Sequence, residues 1–207
     1  MNTELKKTNQ KELNEILKKG GVIDLSDRDL SGLNLEGVNL KGANLFRANL
    51  KGAHFKWANL RETNLTKVNL EGANLQGANL RGANLQGANL KGADLRLAKL
   101  EGADLEGADL KGANLWGAEF REANLQEANL EGADLREADL SGANLQEANL
   151  QGANLAVTEL IEADFRGANL KEVNLGWATF TGANLEGANF WEAKNLQKAI
   201  NLVLPQT

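Results

Sequence analysis

Cysteine and tyrosine are absent from this 207-residue chain, and histidine, proline and methionine occur once each. Without cysteine there are no disulfides and no thiolate metal sites, and the redox compartment leaves no trace. The lone imidazole, His54, cannot assemble a catalytic triad or a histidine-based metal set. No catalytic, cofactor-binding or metal-ligating residue is therefore expected, and no cofactor; the chain does not read as an enzyme. Long apolar runs are missing too, which leaves no candidate membrane span or signal peptide and makes a cytoplasmic location the expectation. The charge balance, 28 acidic against 23 basic residues for a net −5, contains no basic stripe, so direct nucleic-acid binding is not expected.

What is present is a repeat. From Leu25 to Phe190 every fifth residue is Leu or Phe, 34 times in succession. Two residues before each stands a small or aliphatic residue, usually Ala, with Arg28 the one charged exception. Between them lies Asn or Asp almost every time, as in Ala73-Asn74-Leu75-Gln76-Gly77. An α-helix would send successive leucines about 140° apart around its axis, leaving no apolar face. In a strand, Ala and Leu of one unit share a side and the Asn between them faces away. Five is odd, so the next unit would point its leucine outward unless the chain bends. Each unit is a short strand followed by a corner at its last two residues.

The deviations from consensus count the units in a coil. Trp57, Leu97, Val157 and Trp177 are separated by 40, 60 and 20 residues. Glycines 32, 52, 72, 92, 112, 132 and 152 form a series at spacing 20, and Lys99 and Glu119, which replace the usual Asn or Asp, are also 20 apart. Four units per coil put these sets into columns, whereas a three-unit coil scatters them. Glycine suits a recurrent tight corner because it adopts positive φ freely.

The run Ala-(Asn/Asp)-Leu-x-x resembles the pentapeptide-repeat proteins, and its wording is closest to cyanobacterial members. The resemblance spans roughly residues 22–193 and implies an all-β solenoid, a right-handed quadrilateral parallel β-helix with four repeats per coil. That handedness agrees with the crossover rule for parallel strands. Many family members interrupt the repeats with a loop; none is visible between Leu25 and Phe190.

The expected organisation is an N-terminal α-helical cap over 1–21, a β-helix of about eight and a half coils over 22–194, and a C-terminal helical cap and tail over 195–207. Leu13, Ile16 and Leu17 carry helical spacing within residues 9–19, with Gly20 as a stop. At the far end the phase slips, because Leu196 follows Phe190 by six residues. Residues 195–204 read as a capping helical turn halted before Pro205, or alternatively as an association surface on Trp191, Ile200 and Val203.

Carboxylates such as Asp104 with Asp109, or Asp134 with Asp139, occupy the Asn position and read as members of an outer column rather than as an acid–base pair. His54 reads the same way. The large apolar corner residues carry more information: Phe46, Trp57, Leu97, Trp116, Val157, Ile161, Trp177 and Trp191. Five of these eight, Trp57, Leu97, Trp116, Val157 and Trp177, fall on one side of the coil, with His54, while Lys99, Glu119, Glu159 and Thr179 occupy the next strand. Exposed apolar patches mark interaction sites, and Trp is favoured at interface hot spots. The five residues are candidate contacts for a protein partner or a second copy; the plainer reading is that they cover the corner backbone. Lys99 and Glu119 are expected to form an ion pair between coils. The function read from this is a non-catalytic structural or protein-interaction module. The family resemblance implies an alternative, since some members mimic duplex DNA and bind DNA gyrase. Mixed signs along Lys41, Arg61, Arg81, Glu101 and Arg121, and mostly neutral Asn columns, argue against a phosphate-like stripe here.

Overall fold

The computed structural model describes residues 5–18 and 21–204. Parallel bridges link residues twenty apart along the repeat region, from Asp24↔Asn44 to Asn174↔Lys194. One coil is therefore 20 residues, four repeats, and the chain winds as a four-sided parallel β-helix. Stacked at about 4.8 Å, the coils form a rod roughly 40 Å long.

Every backbone amide of a repeat has a destination, as the unit Asn74–Ala78 shows. Asn74 donates to the preceding coil at Ala53 O (3.0 Å), and Leu75 and Gly77 donate to the following coil at Asp94 O (2.7 Å) and Arg96 O (2.9 Å). Ala78 closes the corner by donating to Leu75 O (2.9 Å). The fifth amide, on Gln76, points away from the ladder, and the Asn74 Oδ1 accepts it at 3.0 Å. That is the reason for Asn or Asp at this position: an oxygen on a one-carbon stem reaches the amide two residues on. The second corner residue is left-handed, as a type II turn requires. Gly77 has φ 65°, but Glu127 has φ 56° and Trp57 φ 59° in the same role. Glycine is thus favoured at the corner without being obligatory.

The same asparagines form ladders along the rod. Asn69 Nδ2 donates to Asn49 Oδ1 (3.1 Å) and Asn89 Nδ2 donates to Asn69 Oδ1 (3.1 Å). An aspartate can accept in such a ladder but cannot donate. In three of the four columns no aspartate directly follows another: Asp24, Asp104 and Asp164; Asp29 and Asp109; Asp94 and Asp134.

Inside, the leucines of the five-residue period from Leu25 to Leu175 and the four phenylalanines 55, 120, 165 and 180 are buried among the alanines. Removing each Leu from water contributes roughly 1.5–3 kcal/mol, most of it offset by chain entropy. Two buried threonines replace Ala, and each hydroxyl donates to a backbone carbonyl, Thr63 to Leu60 O (2.6 Å) and Thr158 to Leu135 O (2.9 Å).

The N-terminal end is closed by β1 (Lys6–Lys7) and α1 (Gln10–Lys18). β1 pairs in parallel with β2 (Arg28–Asp29), so a short strand precedes the helix and extends the ladder one step beyond the first coil. Asn9 caps α1 by accepting the Glu12 amide (2.9 Å), and Leu13 plugs the core. The Gln10 side chain imitates a peptide group, donating to Asn34 O and accepting from Asn34 N, both at 2.9 Å. Arg28, the charged intruder at an Ala position, donates to Thr8 Oγ1 (3.0 Å) and Glu12 Oε1 (2.9 Å), tying the cap to the coil. Hydrogen bonds from Arg28 and then Lys6 hold the Glu12 carboxyl below its ordinary value.

At the C-terminus the helical turn is a single 3-10 turn over Leu196–Lys198, shorter than an α-helical cap. It absorbs the one-residue slip: Ile200 pairs with Thr179, twenty-one residues back, and the chain resumes the ladder there. Lys194 occupies the Asn column, and Asn195 supplies the missing amide to Asn174 Oδ1 (2.7 Å). The pull of the ladder outcompetes an isolated helix this short. Gly20 and Pro205, expected as stops, lie outside the described residues.

Two outcomes follow for stability. Asn69→Ala removes two ladder bonds and strands the Glu71 amide, which now bonds to Asn69 Oδ1 at 3.2 Å. Denaturant unfolding should show a loss of about 1–3 kcal/mol, and Asn69→Asp, which keeps the acceptor oxygen, a smaller one. The depressed Glu12 carboxyl stabilises the cap above the ordinary glutamate pKa, about 4.3, and that contribution is lost as pH falls through its lowered folded value. Hydrogen exchange of α1 should be faster in Glu12→Gln than in the wild type at neutral pH, with the difference vanishing in acid.

Candidate functional site

Sorting the outward residues by coil gives four corners and four Asn columns. One corner differs from the rest. Read from the N-terminal end, its levels are Glu36-Gly37, Lys56-Trp57, Gln76-Gly77, Arg96-Leu97, Trp116-Gly117, Arg136-Glu137, Ala156-Val157 and Gly176-Trp177. Trp57, Leu97, Val157 and Trp177 are 55%, 40%, 54% and 60% exposed. Between residues 25 and 190 the one other exposed large hydrophobic is Ile161, on the next corner of the same side. Trp116 is half-buried.

The backbone explains how these side chains sit. A left-handed second corner residue leans its side chain toward the same corner of the following coil. The Trp57 ring lies over Gly77, where an added Cβ would come within 2.0 Å of Cζ3. Leu97 lies over Gly117 in the same way, with Cδ2 2.9 Å from such a Cβ. Glu162 covers Gly182 at 3.2 Å, so the arrangement is general and the apolar occupants are peculiar to this corner. The two tryptophan readings therefore merge at Trp57: the ring lies against the backbone and still presents more than half its surface.

The Asn columns on either side are altered. Before the corner, Asp94 and Asp134 replace Asn, and each binds the arginine two residues on through two hydrogen bonds, Arg96 (2.9 and 2.6 Å) and Arg136 (2.8 and 2.7 Å). Those bonds hold both carboxyls below the ordinary aspartate value. Arg96 and Arg136 stand one coil below and one above Trp116. His54, in this column, is exposed and one coil below Asn74.

After the corner comes the one column that gives up the Asn ladder: Lys99, Glu119, Asp139, Glu159 and Thr179. No Asn or Asp oxygen is available here to the corner amides of Glu101, Arg121, Ile161 and Thr181. Three acids stand in succession, Glu119, Asp139 and Glu159, which occurs in no other column. The expected Lys99–Glu119 ion pair is not formed. Arg81, two coils away, takes Glu119 at 3.2 Å and also binds Glu101; Arg121 takes Asp139 at 2.8 Å. A guanidinium offers several donors in a fork and so bridges two carboxylates where an ammonium meets one. Burial, and then the hydrogen bond and charge of Glu101, push the Glu119 carboxyl up. Burial opposes ionisation of Glu101, but hydrogen bonds from Glu119, from its own amide and from Arg81 outweigh it and hold that carboxyl down. The Glu101 Oε2 is buried without a hydrogen-bond partner.

The diagonal side amends the expectation that no negative stripe exists. Asp24, Asp27, Asp29, Asp104, Glu106, Asp109, Glu127, Glu147, Asp164 and Glu186 share it with only Arg47, Lys67 and Arg166. The acids are spread over two Asn columns and the corner between them, so no single column is uniformly negative. Among the described residues no cluster of His, Cys, Asp and Glu is arranged to hold a metal, and no helix is long and apolar enough to cross a membrane.

Known proteins share the architecture. HetL, a pentapeptide repeat protein involved in heterocyst differentiation regulation in the cyanobacterium Nostoc sp. strain PCC 7120, is 30% identical over 93% of this chain and 96% of its own, with a TM-score of 0.46. A pentapeptide repeat protein of the Arabidopsis thaliana thylakoid lumen is 34% identical over 47% of this chain and 68% of its own, with a TM-score of 0.47. QnrB1, a plasmid-mediated fluoroquinolone resistance protein, is 20% identical over 84% of this chain and 90% of its own, with a TM-score of 0.51, a likeness of fold alone. No curated protein matches the sequence. The family model for pentapeptide repeats matches in eight copies between residues 23 and 194. With its coil of four five-residue units and its leucine core, the chain belongs to the pentapeptide repeat family and forms that family's right-handed quadrilateral β-helix.

Proposed function

We propose that this protein is a non-catalytic interaction module whose contact surface is the Trp57–Leu97–Trp116–Val157–Trp177 corner. The observation that carries the reading is the coincidence of two departures on one side of a regular rod. Four of the five exposed large hydrophobics between residues 25 and 190 stand on that corner, and the adjoining column is the one that abandons the Asn ladder. A solenoid has no need of either: a polar corner residue costs nothing there, and the ladder bonds stabilise. Tryptophan on a rigid backbone supplies contact area at small entropic cost, which is the composition of interface hot spots. The rod fixes the spacing of the anchors, so a partner must match a ridge of six coil steps, about 29 Å.

A second reading has the acidic diagonal side behind it. Ten acidic residues against three basic ones form a surface fitted to a partner that ordinarily holds DNA, such as a gyrase. It is the weaker reading, because Arg47, Lys67 and Arg166 interrupt the run. Inhibition of gyrase supercoiling at micromolar protein would place it first.

The corner is tested with Trp57→Ala, Trp177→Ala. Exposed substitutions of this kind leave stability within about 0.5 kcal/mol, so the melting temperature should hold. Immobilised wild-type chain should retain a protein or a second copy of itself at fixed ratio, and the double variant should lose at least ~90% of it, a ten-fold effect being ~1.4 kcal/mol. Equal retention by both baits removes the reading.

A further inference from the structure

We infer that the corner, taken as the interaction surface proposed above, receives a second copy of this chain, the two rods running antiparallel about a twofold axis at the level of Trp116. An isologous contact requires a surface that complements itself after rotation. Seven consecutive levels of the corner, from Lys56-Trp57 to Gly176-Trp177, rise evenly, because every bridge along them joins residues twenty apart. Trp116 occupies the middle level, and Trp57 and Trp177 each stand three coils from it. Reversal therefore lays Trp57 on the level of the second copy's Trp177 and Trp116 on the level of its own copy. It also brings Val157 to the level of Gly77, where the Trp57 ring forms an apolar floor. Arg96 and Arg136 exchange levels, each already neutralised by its own aspartate.

Charge selects the direction. In a parallel twofold pair the corner residues face their own copies, so Glu137 would meet a like charge. The antiparallel pair sets Lys99, left without its expected partner because Arg81 holds Glu119, at the level of Asp139. It sets Glu137 at the level of Arg96-Leu97 and Glu159 at the level of Asn79. Glu119 alone still meets itself, and it is the carboxyl that its surroundings push toward the neutral form. A ridge this narrow buries less than the ~1,200 Å² of a stable complex, so the pairing is weak and shows at high concentration or when tethered.

The natural chain has no cysteine, so an introduced thiol reports one position. Gln76→Cys and Ala156→Cys keep all the tryptophans, stand on levels that the reversal exchanges, and are both partly exposed. An equimolar mixture of the two full-length variants, mildly oxidised at several hundred micromolar, should yield mainly the mixed 76–156 disulfide by mass spectrometry. Trp116→Ala, introduced into both, should cut that yield at least tenfold while the melting temperature holds. Homodimers 76–76 and 156–156 in excess would overturn the antiparallel arrangement. No cross-link, with sedimentation showing monomer throughout, would overturn self-pairing. In that case retention of a different protein by wild type and its loss in the double Trp variant would leave the broader interaction reading standing, and absence of both would remove it too.

Discussion

The ladder between residues twenty apart is the constraint from which everything else in this rod descends. Because the main chain returns to the same place every four units, each column of side chains is a one-dimensional array with a fixed neighbour above and below. An inward column must be uniformly apolar, and an outward Asn column must keep alternating donors with acceptors. A left-handed corner residue must find room over the corner of the next coil. Trp57 finds it over Gly77 and Leu97 over Gly117. These are local rules with long-range consequences, since a residue that violates one disturbs two coils.

Ends and charges show how the molecule handles the limits of a periodic design. A ladder that stops leaves unpaired amides and an open core. At the start these are met by β1, by the peptide-like Gln10 side chain, by Leu13 in the core opening and by the Arg28–Glu12 clamp. At the finish a 3-10 turn spends one extra residue and returns the chain to register at Ile200. Along the shaft, stacked pairs such as Lys51–Glu71 and Lys111–Glu131 neutralise one another at 2.9 Å in positions where their individual worth is small. The Arg81–Glu101–Glu119–Arg121 cluster is a different case, because it replaces the ladder instead of decorating it.

The functional reading depends on seeing departures against that regularity. In an irregular protein, four exposed hydrophobics would be unremarked, since most surfaces carry some. Here each outward position has at least seven equivalents, and the consensus at those equivalents is polar or glycine. The contrast lies in placement: one corner, one adjoining column, and a tryptophan at the centre and at both ends of the apolar run.

How much of this the amino acids declare on their own follows from the range of each interaction. The leucine period, the turn after each leucine, the twenty-residue coil, the Arg28 exception and the membership of Trp57, Leu97, Trp116, Val157 and Trp177 in one corner all follow from covalent spacing and strand geometry. Arithmetic on positions is enough to recover them. The rest depends on where flexible side chains end, which spacing leaves open. Arg81 reaches past Lys99 to take Glu119, and acids from two columns and a corner merge into one negative side. Gln10 pairs like a peptide group with the backbone of Asn34, 24 residues away, and Ile200 recaptures the ladder in place of a terminal helix. The periodic backbone determined which residues could be neighbours, and only the folded rod, where every polar group competes for partners in three dimensions, decided which of them bind.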